Sequence, residues 1–204
     1  MGVLHTVATD MFPRAALAFR AAWPHCVLRV STGPNWLLLS QLREGAGDLF
    51  VGRMPGPEQM TGLSFRQLYS ERIVLAVRPG HPLAVARDIA SALGHFPLIL
   101  PPGGAVIAPA VRAYLQAIGL PSVEPLFETV SLAFGRKAVA LSDAVWFISE
   151  GVIGDEIARG TLVALDPGTA LPAGPVGICQ RADEAPTAEQ AGLVAALTEQ
   201  CRPA

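Results

Sequence analysis

The feature that most constrains the fold of this chain is an alternation, repeated twice, of short apolar runs with stretches of helical spacing. In the first series, residues 2–5, 27–31 and 48–52 have the length and composition of strands. Between them, apolar residues recur at intervals of three and four, as on one face of a helix. Strands that alternate with helices predict an α/β fold with a mainly parallel sheet.

The second series follows a Pro/Gly-rich loop at residues 54–62 and two β-rich stretches at 64–69 and 73–77. Strands are predicted at 97–100, 124–129 and 144–149, with helices between them and a short helix at 151–159. After another loop at 166–174 come a last strand, 176–180, and a helix opened by a capping box of Thr187 and Gln190. Two series and two breaks predict two α/β lobes.

Composition and charge exclude several classes of protein. Hydrophobic residues make up 51% and charged residues 16%, which excludes a disordered chain. The net charge is −2 and Arg136-Lys137 is the densest basic pair, so we expect no nucleic-acid binding by this chain itself. No apolar run approaches the roughly 18 residues of a membrane span, and the first residues lack a secretory signal. We therefore expect a cytoplasmic globular protein without a membrane partner.

Enzyme signatures do not occur in the sequence. It lacks GxGxxG after a strand, GxxxxGK[ST], GxSxG and HExxH. Cys26, Cys179 and Cys201 are far apart and show no CxxC spacing, which argues against a zinc or redox site. We predict no catalytic residue, no metal ligand and no cofactor.

Candidate ligand contacts lie where strands end, because open α/β sheets bind ligands at the carboxyl ends of their strands. Arg53 follows the strand 48–52, where a guanidinium can hold a carboxylate through two hydrogen bonds; the alternative is an ion pair with a loop acid such as Glu58. His5 ends the first strand and either contacts a ligand or is structural. Residues 102–104 form either an anion-binding helix start or a plain turn. Asn35 is predicted to cap the second helix. The single arginine and nearby helix starts favour a small anion, such as a carboxylate.

A resemblance to a known family is carried by three segments in order: VLHTVATDMFPRAALAFRAAWPHCVLRVSTG, LLSQLREGAGDLFVGR and LYSERIVLAVRPGHPLA. The chain resembles, over essentially its whole length, the effector-binding domain of LysR-type transcriptional regulators. The runs ETVSLAFGR and SDAVWFIS look like a subgroup with regulators of protocatechuate catabolism and of sugar-binding-protein operons. The resemblance implies two Rossmann-like lobes joined by crossover strands, as in periplasmic binding proteins. Lobe I would comprise residues 1–73 plus 176–204, and lobe II residues 74–175.

The resemblance also implies a small-molecule effector held between the lobes. The implied contact residues are Leu4, His5, Thr6, Gly33, Pro34, Asn35, Arg53, Pro101, Pro102, Gly103, Thr129 and Ser131. Many family members carry hydroxyl residues where this chain has Leu4, Pro34 and Pro102, so the site is expected to offer fewer side-chain donors.

The resemblance also implies which partners the protein has. DNA would be bound only through an amino-terminal winged helix-turn-helix, which this sequence does not contain. The domain would form a homodimer, and the full-length protein a tetramer. Pairing would use the first helix, which has apolar residues on more than one side, and the second strand, each against the partner's other lobe. Two alternatives stay open: a solute-binding protein of a transport system, and a small α/β enzyme.

Overall fold

The computed structural model describes residues 1–9, 11–168 and 171–201. The strands are β1 (Gly2–Val3), β2 (Ser31–Thr32), β3 (Phe50–Arg53), β4 (Leu63–Glu71), β5 (Ile73–Val77), β6 (Leu98–Leu100), β7 (Phe127–Glu128), β8 (Val145–Ser149), β9 (Val163–Leu165) and β10 (Gly174–Arg181). The α-helices are α1 (Met11–Ala22), α2 (Asn35–Arg43), α3 (Ile89–Leu93), α4 (Ala108–Ala117), α5 (Leu132–Ala140), α6 (Gly154–Ala158) and α7 (Ala188–Glu199). Short 3₁₀ turns occur at Pro57–Gln59, Pro82–Val85 and Glu150–Ile153.

Two compact units divide the chain. Unit 1 comprises Met1–Glu71 and the chain from Gly174 onward, and unit 2 comprises Arg72–Ala173. Each unit has its own five-stranded sheet with apolar clusters on both faces.

The sheet of unit 1 has the strand order β2-β1-β3-β10-β4. β1 runs parallel to β2 and β3, whereas β10 runs antiparallel between β3 and β4. α1 and α7 pack against each other and supply buried side chains such as Phe19 and Leu193 to the apolar cluster that contains Val51 of β3. Leu38 and Leu42 of α2 join a second cluster with Phe50, the preceding residue of β3. Successive residues of β3 therefore enter different clusters, as the pleat of a strand requires.

The sheet of unit 2 has the order β7-β6-β8-β5-β9. β6 runs parallel to β7 and β8, and β5 runs antiparallel to β8 and β9. Alternate residues of β5 enter different apolar clusters, so this strand is covered on both faces. Trp146 of β8 is fully buried.

The sheets are less parallel than predicted. Each sheet combines two parallel with two antiparallel pairings among its described strands. The antiparallel strands β10 and β5 are entered from the other unit instead of through a crossover helix, which is the connection that makes neighbouring strands parallel.

Several predicted boundaries change. The second strand shortens from 27–31 to Ser31–Thr32, and Val27 and Val30 are exposed, because this edge strand pairs only with the two residues of β1. Residues 151–159 divide into a 3₁₀ turn and α6. The capping box is confirmed: the Gln190 N–H donates to Thr187 Oγ1 at 3.2 Å, and the Thr187 N–H donates to Gln190 Oε1 at 2.9 Å. In the described part of the chain, every helix is too short or too polar to cross a bilayer.

Candidate ligand-binding site

Three strand ends of unit 1 meet at one edge of its sheet. Val3 of β1 pairs with Thr32 of β2 and with Val51 of β3, all in parallel. The residues that follow these strands therefore lie side by side at the carboxyl edge. They are Leu4, His5 and Thr6 after β1, Gly33, Pro34 and Asn35 after β2, and Arg53 at the end of β3.

Asn35 and Thr6 present buried polar atoms that have no hydrogen-bond partner among the described residues. The Asn35 side chain is 4% exposed, and neither its Oδ1 nor its Nδ2 makes a hydrogen bond. Thr6 Oγ1 is also buried and unpartnered, although the Thr6 carbonyl accepts a hydrogen bond from Thr9 Oγ1 at 2.9 Å. Native proteins satisfy such atoms through a ligand or an ordered water, because an unmade buried hydrogen bond costs about 1–3 kcal/mol.

The predicted cap role of Asn35 is wrong. Pro34 is the N-cap residue of α2, and its carbonyl accepts the N–H groups of Leu37 and Leu38 at 3.1 and 3.2 Å. Asn35 is the first residue of the helix and makes no capping hydrogen bond. The side-chain amide of Asn35 is therefore not used to cap the helix.

Arg53 is buried and forms an ion pair. Its side chain is 6% exposed, and Nη2 lies 3.3 Å from Glu71 Oε2 and donates to the Glu71 carbonyl at 3.1 Å. Burial lowers the pKa of the guanidinium, and the Glu71 carboxylate acts in the opposite direction. An arginine stays charged under such opposing influences, so the edge carries a buried cation. The acid is Glu71 of β4 and not the nearby loop residue Glu58.

Gly174 allows Arg53 to reach Glu71. β10 lies between β3 and β4, so the backbones of Arg53 and Glu71 are two strand spacings apart, roughly 10 Å, and the Arg53 side chain must pass over β10 to meet Glu71. Gly174 pairs with Glu71 in the ladder, and a Cβ at Gly174 would clash with Arg53 Nη1. The absence of a side chain at this position lets the guanidinium pass over β10.

The remaining residues at this edge of unit 1 contribute shape and backbone. The Leu4 N–H donates to the Val51 carbonyl at 2.8 Å, and its side chain packs against both apolar clusters of the unit. His5 is half-buried in the turn after β1, and Gly33 is buried beside Leu37 and Leu38.

In unit 2, the predicted residues also follow neighbouring strands. Leu100 of β6 pairs in parallel with Glu128 of β7, so Pro101, Pro102 and Gly103 lie at the same edge as Thr129 and Ser131. Residues 103–107 form turns, and α4 begins only at Ala108, so the sequence Pro-Gly-Gly does not open the helix directly.

The hydroxyls of Thr129 and Ser131, the two predicted hydroxyl contacts in unit 2, accept hydrogen bonds at the start of α5. Thr129 Oγ1 accepts the Ser131 N–H at 2.9 Å, and Ser131 Oγ accepts the Phe134 N–H at 3.4 Å. A hydroxyl keeps a proton to donate while it accepts, so both groups can still act as donors to a ligand.

Sequence reasoning missed three residues of these edges: Glu71, Gly174 and Arg112. A Cβ added at Gly103 would lie 3.8 Å from Arg112 Nη2, which places a second guanidinium beside the β6 loop. The signal for Arg112 was its position in the first turns of the helix after that loop. Glu71 was recognisable only as an acid that ends a β-rich stretch.

Cys179 and the side chains that can hold a metal ion bear on what chemistry the described residues offer. Cys179 is fully buried, and burial raises the pKa of its thiol from 9.0 to about 12, so the thiol stays protonated. Within residues 1–9, 11–168 and 171–201, no group of three or more His, Cys, Asp or Glu residues is arranged to hold a metal ion.

Comparisons with known proteins agree with this architecture. A family described as the LysR substrate binding domain matches residues 1–202. The regulator PcaQ of Agrobacterium fabrum is 40% identical over 200 residues, which cover 98% of this chain and 64% of PcaQ. The regulator YdcI of Escherichia coli is 34% identical over 184 residues, which cover 90% of this chain and 60% of YdcI. The chain therefore spans less than two thirds of the length of these relatives.

A solved structure shows the same fold. The regulatory domain of Synechocystis CcmR, solved in complex with 2-PG, superimposes on this chain with a TM-score of 0.84 at 19% sequence identity. The match covers 97% of this chain and 94% of the CcmR chain. This similarity confirms the predicted α/β fold class.

Proposed function

This chain belongs to the LysR substrate-binding domain family, and we propose that it senses a small-molecule effector for a longer transcriptional regulator. The family and the regulators PcaQ and YdcI support a regulatory domain and not an enzyme. In this proposal the effector shifts the populations of two states of the regulator, and another part of the longer protein reads that shift on DNA in the cytoplasm.

One observation carries the proposal: Thr6 and Asn35 bring buried, unpartnered polar atoms to the sheet edge that holds Arg53. A donor and acceptor pair beside a buried cation is the arrangement that fixes the orientation of a small polar ligand. We propose that these residues contact the effector directly, with Leu4, His5, Gly33 and Pro34 shaping the site. In unit 2 we assign effector contacts to Pro101, Pro102, Gly103, Thr129 and Ser131.

The ligand in this proposal is an anion, most simply a carboxylate. The guanidinium of Arg53 supplies a fixed positive charge, and the amino end of the nine-residue helix α2 adds a partial positive charge at the neighbouring strand end. CcmR, which shares the fold, was solved with 2-PG bound.

We also propose that the domain forms a homodimer, and the full-length regulator a tetramer. Both sheets end in a very short, exposed strand, β2 in unit 1 and β7 in unit 2. Each edge carries exposed apolar side chains, which monomeric proteins seldom leave in one patch. We assign Val27 and Val30, which precede β2, and Leu17, which is exposed on α1, to the proposed patch of unit 1, and Leu126, Phe127, Val130 and Phe134 to that of unit 2.

The α1 contact of the proposed dimer rests on the exposed residues of that helix. Of the α1 residues expected to provide surplus apolar surface, Met11, Phe12, Ala15 and Phe19 are buried in unit 1, whereas Ala18 is exposed. Leu17 is 73% exposed and takes that role. A self-complementary pairing would place each unit 1 patch against the partner's unit 2 patch.

The test of the effector site is a thermal-shift screen of small carboxylic acids, each beside its neutral methyl ester, followed by calorimetry with the best acid. Arg53→Ala should weaken binding by about 2–4 kcal/mol, the range for removing one partner of a buried charged pair. Arg53→Lys should restore only part of the loss, because an ammonium cannot make the two-pronged contact.

The matched control is Arg159→Ala, which removes an exposed arginine paired with Asp155 in unit 2. Because Arg53→Ala leaves Glu71 buried without its cation, melting temperatures establish that each variant is folded at the temperature of the titration. Equal affinities of the wild type and both Arg53 variants would contradict the proposed site.

A further inference from the structure

The Arg53 guanidinium lies where the chain leaves unit 1 and where it returns. Glu71 is the last residue of unit 1 before Arg72, and Gly174 is the first residue after the chain comes back. The two are paired in the β4–β10 ladder, and Arg53 bonds to the first while passing over the second. Met54, which follows Arg53 in the sequence, donates its N–H to the Pro175 carbonyl at 2.9 Å. The Arg53 side chain thus bonds to the residue at the first crossing and lies directly over the residue at the second.

The same guanidinium already has a carboxylate partner. Glu71 is 6% exposed, and its Oε2 lies 3.3 Å from Arg53 Nη2. A second anion bound to Arg53 would come within several ångströms of the Glu71 carboxylate. Two like charges at that distance repel strongly where water is excluded. An anionic ligand and Glu71 therefore cannot both bind the guanidinium at full strength.

We propose that Glu71 is an internal competitor for the effector: the ligand's anionic group takes Arg53 over from Glu71, and this exchange loosens the two chain crossings. The inference rests on the proposed function, in which Arg53 binds the effector. It makes Glu71 a positioning residue, since it acts on the ligand through Arg53. It also explains why an arginine at a ligand-binding edge is held by an acid of its own unit.

The first test is calorimetry of Glu71→Gln with benzoate and 3,4-dihydroxybenzoate as probes and their methyl esters as neutral counterparts. Removing the competing charge should tighten binding of both acids about tenfold or more, and leave the esters unchanged. In the double variant Arg53→Ala/Glu71→Gln this gain should disappear. Glu156→Gln is the matched control, because it removes the acid from an Arg136–Glu156 pair at 2.9 Å in unit 2.

The outcomes separate the two proposals. Acid binding to Glu71→Gln that equals or falls below that of the wild type, including no binding of either acid at about 10 mM, overturns the competition. In that case a loss on Arg53→Ala would still support Arg53 as the anion site. Undiminished binding to Arg53→Ala would overturn the effector site itself.

The second test follows amide hydrogen exchange at residues 72–74 and 174–177 with and without saturating probe. In the wild type the probe should raise exchange about threefold or more at both segments, because their shared anchor is released. Glu71→Gln should exchange quickly with or without the probe.

Gly174→Ala gives an independent variant, because the added Cβ would displace the guanidinium. It should raise exchange at both segments without ligand, whereas Gly154→Ala, whose Cβ meets open space, should not. Exchange that is insensitive to the probe in the wild type, or unaffected by Gly174→Ala, would overturn the link to the crossings.

Discussion

At the scale of single residues, buried polar atoms without partners lower the stability of the ligand-free domain. The Asn35 amide and the Thr6 hydroxyl both lie in this state at the carboxyl edge of unit 1. Binding sites are commonly maintained at such a cost, because the same atoms gain their hydrogen bonds only when the ligand arrives.

Replacing these side chains with apolar ones of similar shape should separate stability from binding. Asn35→Leu and Thr6→Val should each raise the free energy of unfolding of the ligand-free domain by about 1–2 kcal/mol. Each should also weaken effector binding about tenfold or more, because the ligand loses a hydrogen bond. Urea unfolding and calorimetry measure the two effects.

Thr161→Val serves as the control for Thr6→Val, since the Thr161 hydroxyl donates to the Glu156 carbonyl at 3.3 Å and lies in unit 2. If Asn35→Leu lowered stability and left binding unchanged, Asn35 would be a structural residue and not a ligand contact.

The sequence was sufficient to place Asn35 and Arg53 at strand ends, because strand ends follow from local apolar runs. It was not sufficient to pair Arg53 with Glu71. That pairing depends on β10, which the chain inserts between β3 and β4 after completing unit 2. A contact across an intervening strand leaves no local pattern.

At the scale of elements, Trp146 and α5 show how one small residue sets a packing distance. A Cβ added at Gly135 of α5 would lie 2.5 Å from Trp146 Cζ2 of β8. The helix therefore approaches the sheet closely enough for the indole to fill the space that a side chain would occupy.

Gly135→Ala should destabilise unit 2 by about 1–3 kcal/mol, because the fully buried indole has no room to move aside. Gly154→Ala is the matched control: its Cβ meets nothing within 4 Å, and alanine favours the helix by up to about 1 kcal/mol. Thermal unfolding followed by tryptophan fluorescence distinguishes them. A Gly135→Ala protein as stable as the wild type would show that α5 can shift without penalty.

The bounds of an element were predictable where burial is complete and were not predictable at an exposed edge. β5, whose residues are all buried, was predicted at its observed bounds. β2 was predicted too long, because Val27 and Val30 have strand propensity but lie beside a short edge with a single neighbour. Propensity alone cannot distinguish a strand from an exposed apolar segment.

At the scale of the whole molecule, the repeated alternation was sufficient to predict the α/β class. The direction of the strands could not be predicted, because β5 is buried along its whole length and β10 through its middle, as parallel strands covered on both faces also are. The exposed edge strands of both sheets are the surfaces through which we propose that the domain dimerises.

We expect the domain to sediment as a dimer at tens of micromolar, an order of concentration typical of moderate association. Leu17→Glu and Val130→Glu should each shift it to monomer, because each places a charge in one of the two apolar patches. Val85→Glu is the control, since Val85 is 87% exposed and belongs to neither patch. A dimer that survives both patch variants would place the interface elsewhere.

The strand β10 also determines when each unit can be completed during synthesis. Unit 2 is one uninterrupted segment, so it can fold as soon as it has left the ribosome. The sheet of unit 1 lacks its fourth strand in the order β2-β1-β3-β10-β4 until Arg181 has emerged. Within this domain, unit 1 is therefore begun before unit 2 and completed after it, and until Arg181 has emerged β3 and β4 lack the strand that joins them in the sheet.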